Sequence, residues 1–226
     1  MKMVWLASYP RSGVTFLRLL LERLYGVPTH TVYTSEWRAT GDLFPANRLF
    51  PQNNNAPDPT FVKTHGVDEA PKGGRAIHLV RDPRDALVSH AHFACDFSHK
   101  WMGYDEAIRA AIHGNLGIPT WGAHTVAWLG RPAVRIHFDD LIANPLATIT
   151  EAVEGLDLGM KLIANDGIPA FEALKAEHPK FFRSGKSEQW RDDLPKHLLT
   201  EFIAKQRAAV AAYEAIFKRA ICGQAA

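Results

Sequence analysis

Two cysteines in 226 residues, Cys95 and Cys222, are too few for a disulfide framework, and this points to a reducing compartment. The formal net charge is only +2 and no long basic run exists, which excludes a general nucleic-acid binder. Long apolar runs are missing too. The apolar opening at Val4–Ala7 is cut off by Tyr9-Pro10, too short for a signal-peptide core, and no later stretch approaches a membrane span. The chain is therefore expected to be soluble and cytoplasmic. Neither a repeat nor a linker interrupts it, and its length fits a single domain over residues 1–226.

What is present is alternation. The spacing predicts strands at 3–8, 60–65, 75–80 and 133–138, and helices at 14–25, 83–97, 104–113, 119–129 and 140–155. Pro195 to Ile221 is predicted as a closing helix or helical pair. This order implies a three-layer α/β fold, a central and mostly parallel sheet flanked by helices.

The first predicted strand runs straight into Tyr9-Pro10-Arg11-Ser12-Gly13-Val14-Thr15-Phe16. A strand, tight loop and helix in succession aim backbone N–H groups and the positive helix end at one spot, where Arg11, Ser12 and Thr15 add donors. The segment predicts a phosphate or sulfate site or, on the plainer reading, a turn in which Ser12 caps the helix. Gly13 is followed by Val14 and not by Lys, so this is not an ordinary ATP-binding phosphate loop. Further on, Lys63 and His65 flank Thr64 and share a strand face, which points a cation and a base at one place. Arg81 ends the strand Arg75–Val80; Asp82 caps the next helix, Pro83 takes its first position, and Ser89 follows on it. Three strands thus deliver basic or hydroxyl groups to the carboxyl edge, where open α/β sheets bind ligands.

At these residues the chain resembles the PAPS-dependent sulfotransferases, which move a sulfuryl group from 3′-phosphoadenosine 5′-phosphosulfate (PAPS) to a hydroxyl or amine. Residues 9–16 resemble the family's 5′-phosphosulfate loop, PKSGTTW, with Arg11 for its Lys, Val14 for a Thr and Phe16 for its Trp. Lys63-Thr64-His65 resembles its KTH motif. Val80 to Ser89 is similar to its 3′-phosphate motif, whose Arg and Ser fall on Arg81 and Ser89. Arg135 to Pro145 resembles the strand and helix written YEDL, with Phe138 for the Tyr, and Phe182 to Arg191 resembles the loop RKGxxGDWK.

The resemblance implies a phosphate-loop-like cradle for the donor from Arg11, Ser12, Gly13, Val14, Thr15 and Phe16. It further implies a 3′-phosphate site from Arg81, Ser89, Arg183, Ser184 and Gly185. Adenine contacts are expected from Phe16, and from Trp5 or Phe171. Ser184 stands where the motif has Lys, and Lys186 is the candidate substitute; Glu188 and Gln189 stand where it has Gly and Asp. The donor is a polyanion that needs two separated cation clusters, expected from Arg11 with Lys63 and from Arg81 with Ser89 and Arg183. Lys63 and Arg11 are assigned to the leaving phosphate. His65 is assigned as general base, since its ordinary pKa matches neutral operation.

No metal is expected in this chemistry, and His90, His92, Cys95 and His99 fan over more than one helix face. His92, Phe93, His99, Trp101, Trp121 and His124 either line the acceptor side or are ordinary core aromatics and surface imidazoles. The irregular stretch Phe44 to Pro59 is expected to border the acceptor pocket. Trp190 is expected to anchor its loop by packing. The acceptor itself, a small molecule, glycan, lipid or peptide, stays open, as does the oligomeric state. Two other classes share parts of this pattern. A nucleotide kinase would carry a Lys after Gly13 and a magnesium carboxylate, and a non-catalytic nucleotide-binding module would have no use for His65.

Overall fold

The computed structural model describes residues 2–34, 43–44, 58–71, 73–164, 168–179, 181–183 and 185–221. Its centre is β1 (Met3–Ser8), whose residues from Val4 onward are all buried. The remaining strands are β2 (Thr29–Thr31), β3 (Thr60–Thr64), β4 (Arg75–Val80) and β5 (Val134–His137). They form one five-stranded sheet in the order β2-β3-β1-β4-β5. Every pairing is parallel, with Ala7 beside Thr64 and Ser8 beside Leu79. The chain leaves β1 for one side of the sheet and later returns to build β4 and β5 on the other. A crevice opens at such a reversal, outside the carboxyl ends of the central strands.

Both faces are covered. On one, α1 (Val14–Tyr25) packs Leu17, Leu20, Leu21 and Leu24 against Val4, Leu6, Phe61, Ile77 and Leu79. On the other, Trp5, Ala7, Val62 and Ala76 meet Trp128 of α4 (Trp121–Leu129). With Trp121 of α4, the helices α2 (Pro83–Phe93), α3 (Tyr104–His113) and α9 (Lys196–Phe217) build a further core that also takes in Tyr9 and Val80. This is the three-layer α/β architecture predicted.

Local chemistry explains the departures. The helix predicted over 83–97 holds to Phe93, then widens into a π-helical turn, Ala94–Ser98, closed by the His99 amide on the Ala94 carbonyl at 2.6 Å. The helix predicted over 140–155 is two, α5 (Phe138–Ala143) and α6 (Pro145–Gly155). Pro145 has no N–H to continue the first and restricts Asn144 to a non-helical conformation. Two short helices, α7 (Phe171–Glu177) and α8 (Trp190–Asp193), and the polar edge strand β2 were not predicted. α9 kinks at Gln206, whose buried amide accepts from Gly122 N–H at 2.7 Å and donates to Ile112 O at 2.8 Å. One side chain thereby satisfies an open helix start and an open helix end. No helix among the described residues is long and apolar enough to cross a membrane.

Candidate active site

A cavity of about 350 Å³ lies at the carboxyl edge of the sheet, walled by the loop after β1, the ends of β3 and β4, α2, Phe181, Phe182, Arg183, Gly185 and Gln189 among others. The loop after β1 bends because Arg11 (φ 66°) and Gly13 (φ 99°) both adopt left-handed backbone. Glycine is required at the second position twice over: a Cβ there would sit 2.7 Å from the ring of Phe138. No side chain caps α1, so the expected Ser12 cap does not form. Ser12 Oγ is buried without a hydrogen-bond partner among the described residues. Val14, Thr15 and Phe16 line the cavity just beyond. An uncapped helix start carries partial positive charge, and the unsatisfied Ser12 hydroxyl lies beside it.

Lys63 and His65 meet in the same cavity, as their strand spacing predicts. Nδ1 of His65 lies 2.8 Å from the Ser8 carbonyl. A carbonyl can only accept, so Nδ1 carries the proton and Nε2 keeps the lone pair. The His65 ring stacks on Tyr33 at 5.3 Å between centroids, and its main-chain N–H donates to the Tyr33 hydroxyl at 2.6 Å. Burial, then the nearby Lys63 charge, holds the imidazole pKa well below 6.5. The middle residue of the motif works differently: Thr64 Oγ1 donates to Glu69 and accepts from Gly66 N–H.

Arg81, Ser89 and Arg183 also line the cavity, and Arg81 is almost completely buried. Its guanidinium lies 4.2 Å from the Phe138 ring centre and donates to the carbonyls of Arg11 and Lys186, both at 3.0 Å, while Nε has no partner among the described residues. Arg183 pairs with Asp193 at 3.0 Å and with Gln189.

Several expectations need correction. Arg11, expected to act with Lys63, lines the same cavity, but its Nε donates to Ser89 Oγ at 3.2 Å. Trp5 faces the opposite side of the sheet, packed with Val62 and Trp128, and does not line the cavity. Phe16 and Phe171 do line the cavity. Lys186 is exposed and absent from the cavity wall, and its carbonyl accepts from Arg81. Of the aromatic and histidine candidates, Phe93 and His99 line the cavity, together with His90. Trp101 is 75% exposed, whereas Trp121 and His124 are core. His92 leans on Tyr104 at 4.5 Å. Ser184, Cys222 and residues 45–57 lie outside the described residues.

The family model for the sulfotransferase domain matches residues 2–211. The chain belongs to that family. A WSCD family member from Drosophila pseudoobscura pseudoobscura is 38% identical over 87 residues, 37% of this chain and 25% of that protein. One from Aedes aegypti is 37% identical over 86 residues with the same shares. The match thus spans a quarter of those relatives. Among solved structures, retinol dehydratase in complex with androsterone and the inactive cofactor PAP has a TM-score of 0.66 and 19% identity, over 92% of this chain and 80% of that one. A mouse sulfotransferase complexed with PAP has a TM-score of 0.67 and 16% identity, over 94% and 88%. At these identities the likeness is one of fold.

Within this sulfotransferase domain three contributors escape sequence reading. Asp85 looks like a helix-start acid, but its carboxylate accepts the N–H groups of Glu188 and Trp190 at 2.8 and 3.1 Å and so pins the covering loop to α2. Glu188 there holds φ 63° without being glycine. Trp190 packs between the guanidinium groups of Arg84 and Arg191, as an anchor should. Tyr33 and Phe181 also line the cavity, and neither carries a sequence signal beyond being aromatic.

Proposed function

We propose that the domain moves a sulfuryl group from PAPS to a hydroxyl or amine of an acceptor by in-line displacement, with His65 as general base. The observation that carries this reading is the composition of one cavity: the His65 imidazole, Lys63 and three guanidinium groups line it, and no carboxylate does among the described residues. Such a wall fits a polyanionic nucleotide. The residues present also fit the donor in detail. Ser12 Oγ and Arg81 Nε are buried and unsatisfied, and an anion would complete both.

Ser12 to Phe16 would hold the 5′ end, Arg81, Ser89 and Arg183 the 3′-phosphate, and Phe16 and Phe171 the adenine. Once bound, the donor supplies an activated sulfuryl group on a phosphate leaving group. Transfer of this kind asks the protein for position and charge rather than covalent chemistry. Lys63 offers the charge. His65 accepts the acceptor proton at Nε2, while the Ser8 carbonyl holds Nδ1–H and Tyr33 fixes the ring plane. A kinase reading would call for a magnesium-binding carboxylate on this wall.

Incubation with PAPS and a panel of phenols, sugars, lipid alcohols and peptides, followed by mass spectrometry, should show one acceptor class gaining a sulfuryl group. Absence of product across the panel, together with equal affinity for AMP and for 3′-phosphoadenosine 5′-phosphate (PAP), would reject the reading.

A further inference from the structure

We propose that Arg11 belongs to the 3′-phosphate end of the site, where it supplies the cation that Ser184 does not, and that it sets the preference for a 3′-phosphorylated adenosine nucleotide. The inference rests on the donor reading above and reassigns one of its residues.

Position is the first argument. Nε of Arg11 donates to Ser89 Oγ at 3.2 Å, and Nη2 donates to the Phe181 carbonyl, two residues before Arg183. Its guanidinium lies near two rings, 5.2 Å from the centre of Phe93 and 4.5 Å from that of Phe181. The main-chain oxygen of Arg11 receives Arg81 Nη1 at 3.0 Å. A planar fork can bond a hydroxyl and a carbonyl at once while its flat faces meet aromatic rings. A lysine ammonium has no such shape, so the Arg at this position changes where the loop's charge is delivered.

Charge is the second argument. Arg183 has its guanidinium offset by Asp193 at 3.0 Å, position 184 is uncharged, and the exposed Lys186 does not line the cavity. Carboxylates offset Arg81 as well, Asp85 foremost with Asp139 and Asp82, whereas at Arg11 the attraction of Asp96 is weaker than the repulsion from the Arg81 and Arg183 guanidinium groups. Arg11 and Arg81 are held close against repulsion: burial, then Arg81 and Arg183, lower the Arg11 pKa to about 10. A dianion placed among these groups relieves that repulsion and satisfies Arg81 Nε. Among the described residues of the cavity wall, Lys63 is then the cation assigned to the sulfuryl end.

Calorimetry with PAP and with 5′-AMP separates the possibilities, because the two nucleotides differ only in the 3′-phosphate. Wild-type protein should prefer PAP. In Arg11→Ala that preference should shrink about tenfold to a hundredfold, the worth of a charged hydrogen bond, with 5′-AMP affinity changed by less than about threefold. Arg11→Lys keeps the charge but cannot bridge Ser89 and the Phe181 carbonyl together, and its preference should fall in between. It also serves if the alanine variant folds poorly. Equal loss of PAP and 5′-AMP affinity in either variant would place Arg11 at the 5′-phosphate and overturn the inference while leaving the donor reading intact. A wild-type protein without preference for PAP would overturn both.

Discussion

Nδ1 of His65 lies 2.8 Å from the main-chain oxygen of Ser8, the residue that ends β1 and opens the anion loop. One strand end thereby fixes both the anion cradle and the tautomer of the proposed base. Because burial and Lys63 keep the imidazole pKa well below 6.5, His65 stays neutral, and able to take a proton, through mildly acid pH. The acid limb of kcat/KM, which reports the free enzyme, should therefore fall below the ordinary histidine range. His65→Ala should lower kcat by at least about a hundredfold while PAP binding stays within a few-fold. A folded alanine variant with near-normal turnover would show that another group takes the proton.

Much of this site is legible in the sequence because strand ends are sharply marked. The apolar runs of β1 and β4 stop at Tyr9-Pro10 and at Arg81-Asp82-Pro83, so the loops that follow land on the same edge of the sheet. The Lys63 and His65 pair follows from strand periodicity. Arg11 is different: sequence states a charge, and only packing between Phe93 and Phe181 decides which cluster receives it. Trp5 alternates with Val4 and Leu6, but both sheet faces are covered, so alternation does not tell which face the ligand shares. β2 reads Thr-His-Thr over three residues, and α8 spans four, too few for any period to emerge.

Gly13 and Phe138 form a second coupled pair. A Cβ on Gly13 would meet the Phe138 ring at 2.7 Å, and that ring backs the Arg81 guanidinium at 4.2 Å. Gly13→Ala should therefore act twice. The forced positive φ should destabilise the fold by about 1–2 kcal/mol. Displacement of Phe138 should weaken PAP binding through Arg81, which calorimetry on the folded fraction would detect. Unchanged PAP affinity would show that the Phe138 ring does not position Arg81.

Metal removal tests the division of labour in the cavity. Its described wall offers guanidinium, ammonium, imidazole and hydroxyl groups and no Asp or Glu, and the proposed transfer has these side chains meet the charge on the leaving phosphate. Sulfuryl transfer should proceed at full rate in excess EDTA, followed as PAP released per unit time. A strict magnesium requirement would favour phosphoryl transfer instead.

Acid stability probes the histidines behind the site. His90 and His124 are both buried; Tyr9 meets His90 Nδ1 at 3.0 Å, while neither ring nitrogen of His124 has a hydrogen-bond partner among the described residues. Burial lowers each pKa to about 3, with the Arg11 charge a further cause for His90. In the unfolded chain both would protonate near 6.5, so between these values the unfolded state binds more protons than the folded one. Stability should thus be intact above about pH 6.5 and drop as pH falls, by about 1.4 kcal/mol per unit for each histidine, until the folded-state values near 3 are reached. Urea melts at successive pH values would trace the slope. His65 and His78, also buried and held well below 6.5, add to the same slope, so His124→Leu should ease the decline by about 1.4 kcal/mol per pH unit and leave the rest. A slope unchanged by His124→Leu would mean that the proton uptake comes from other groups and that His124 is not the acid-sensitive element of this core.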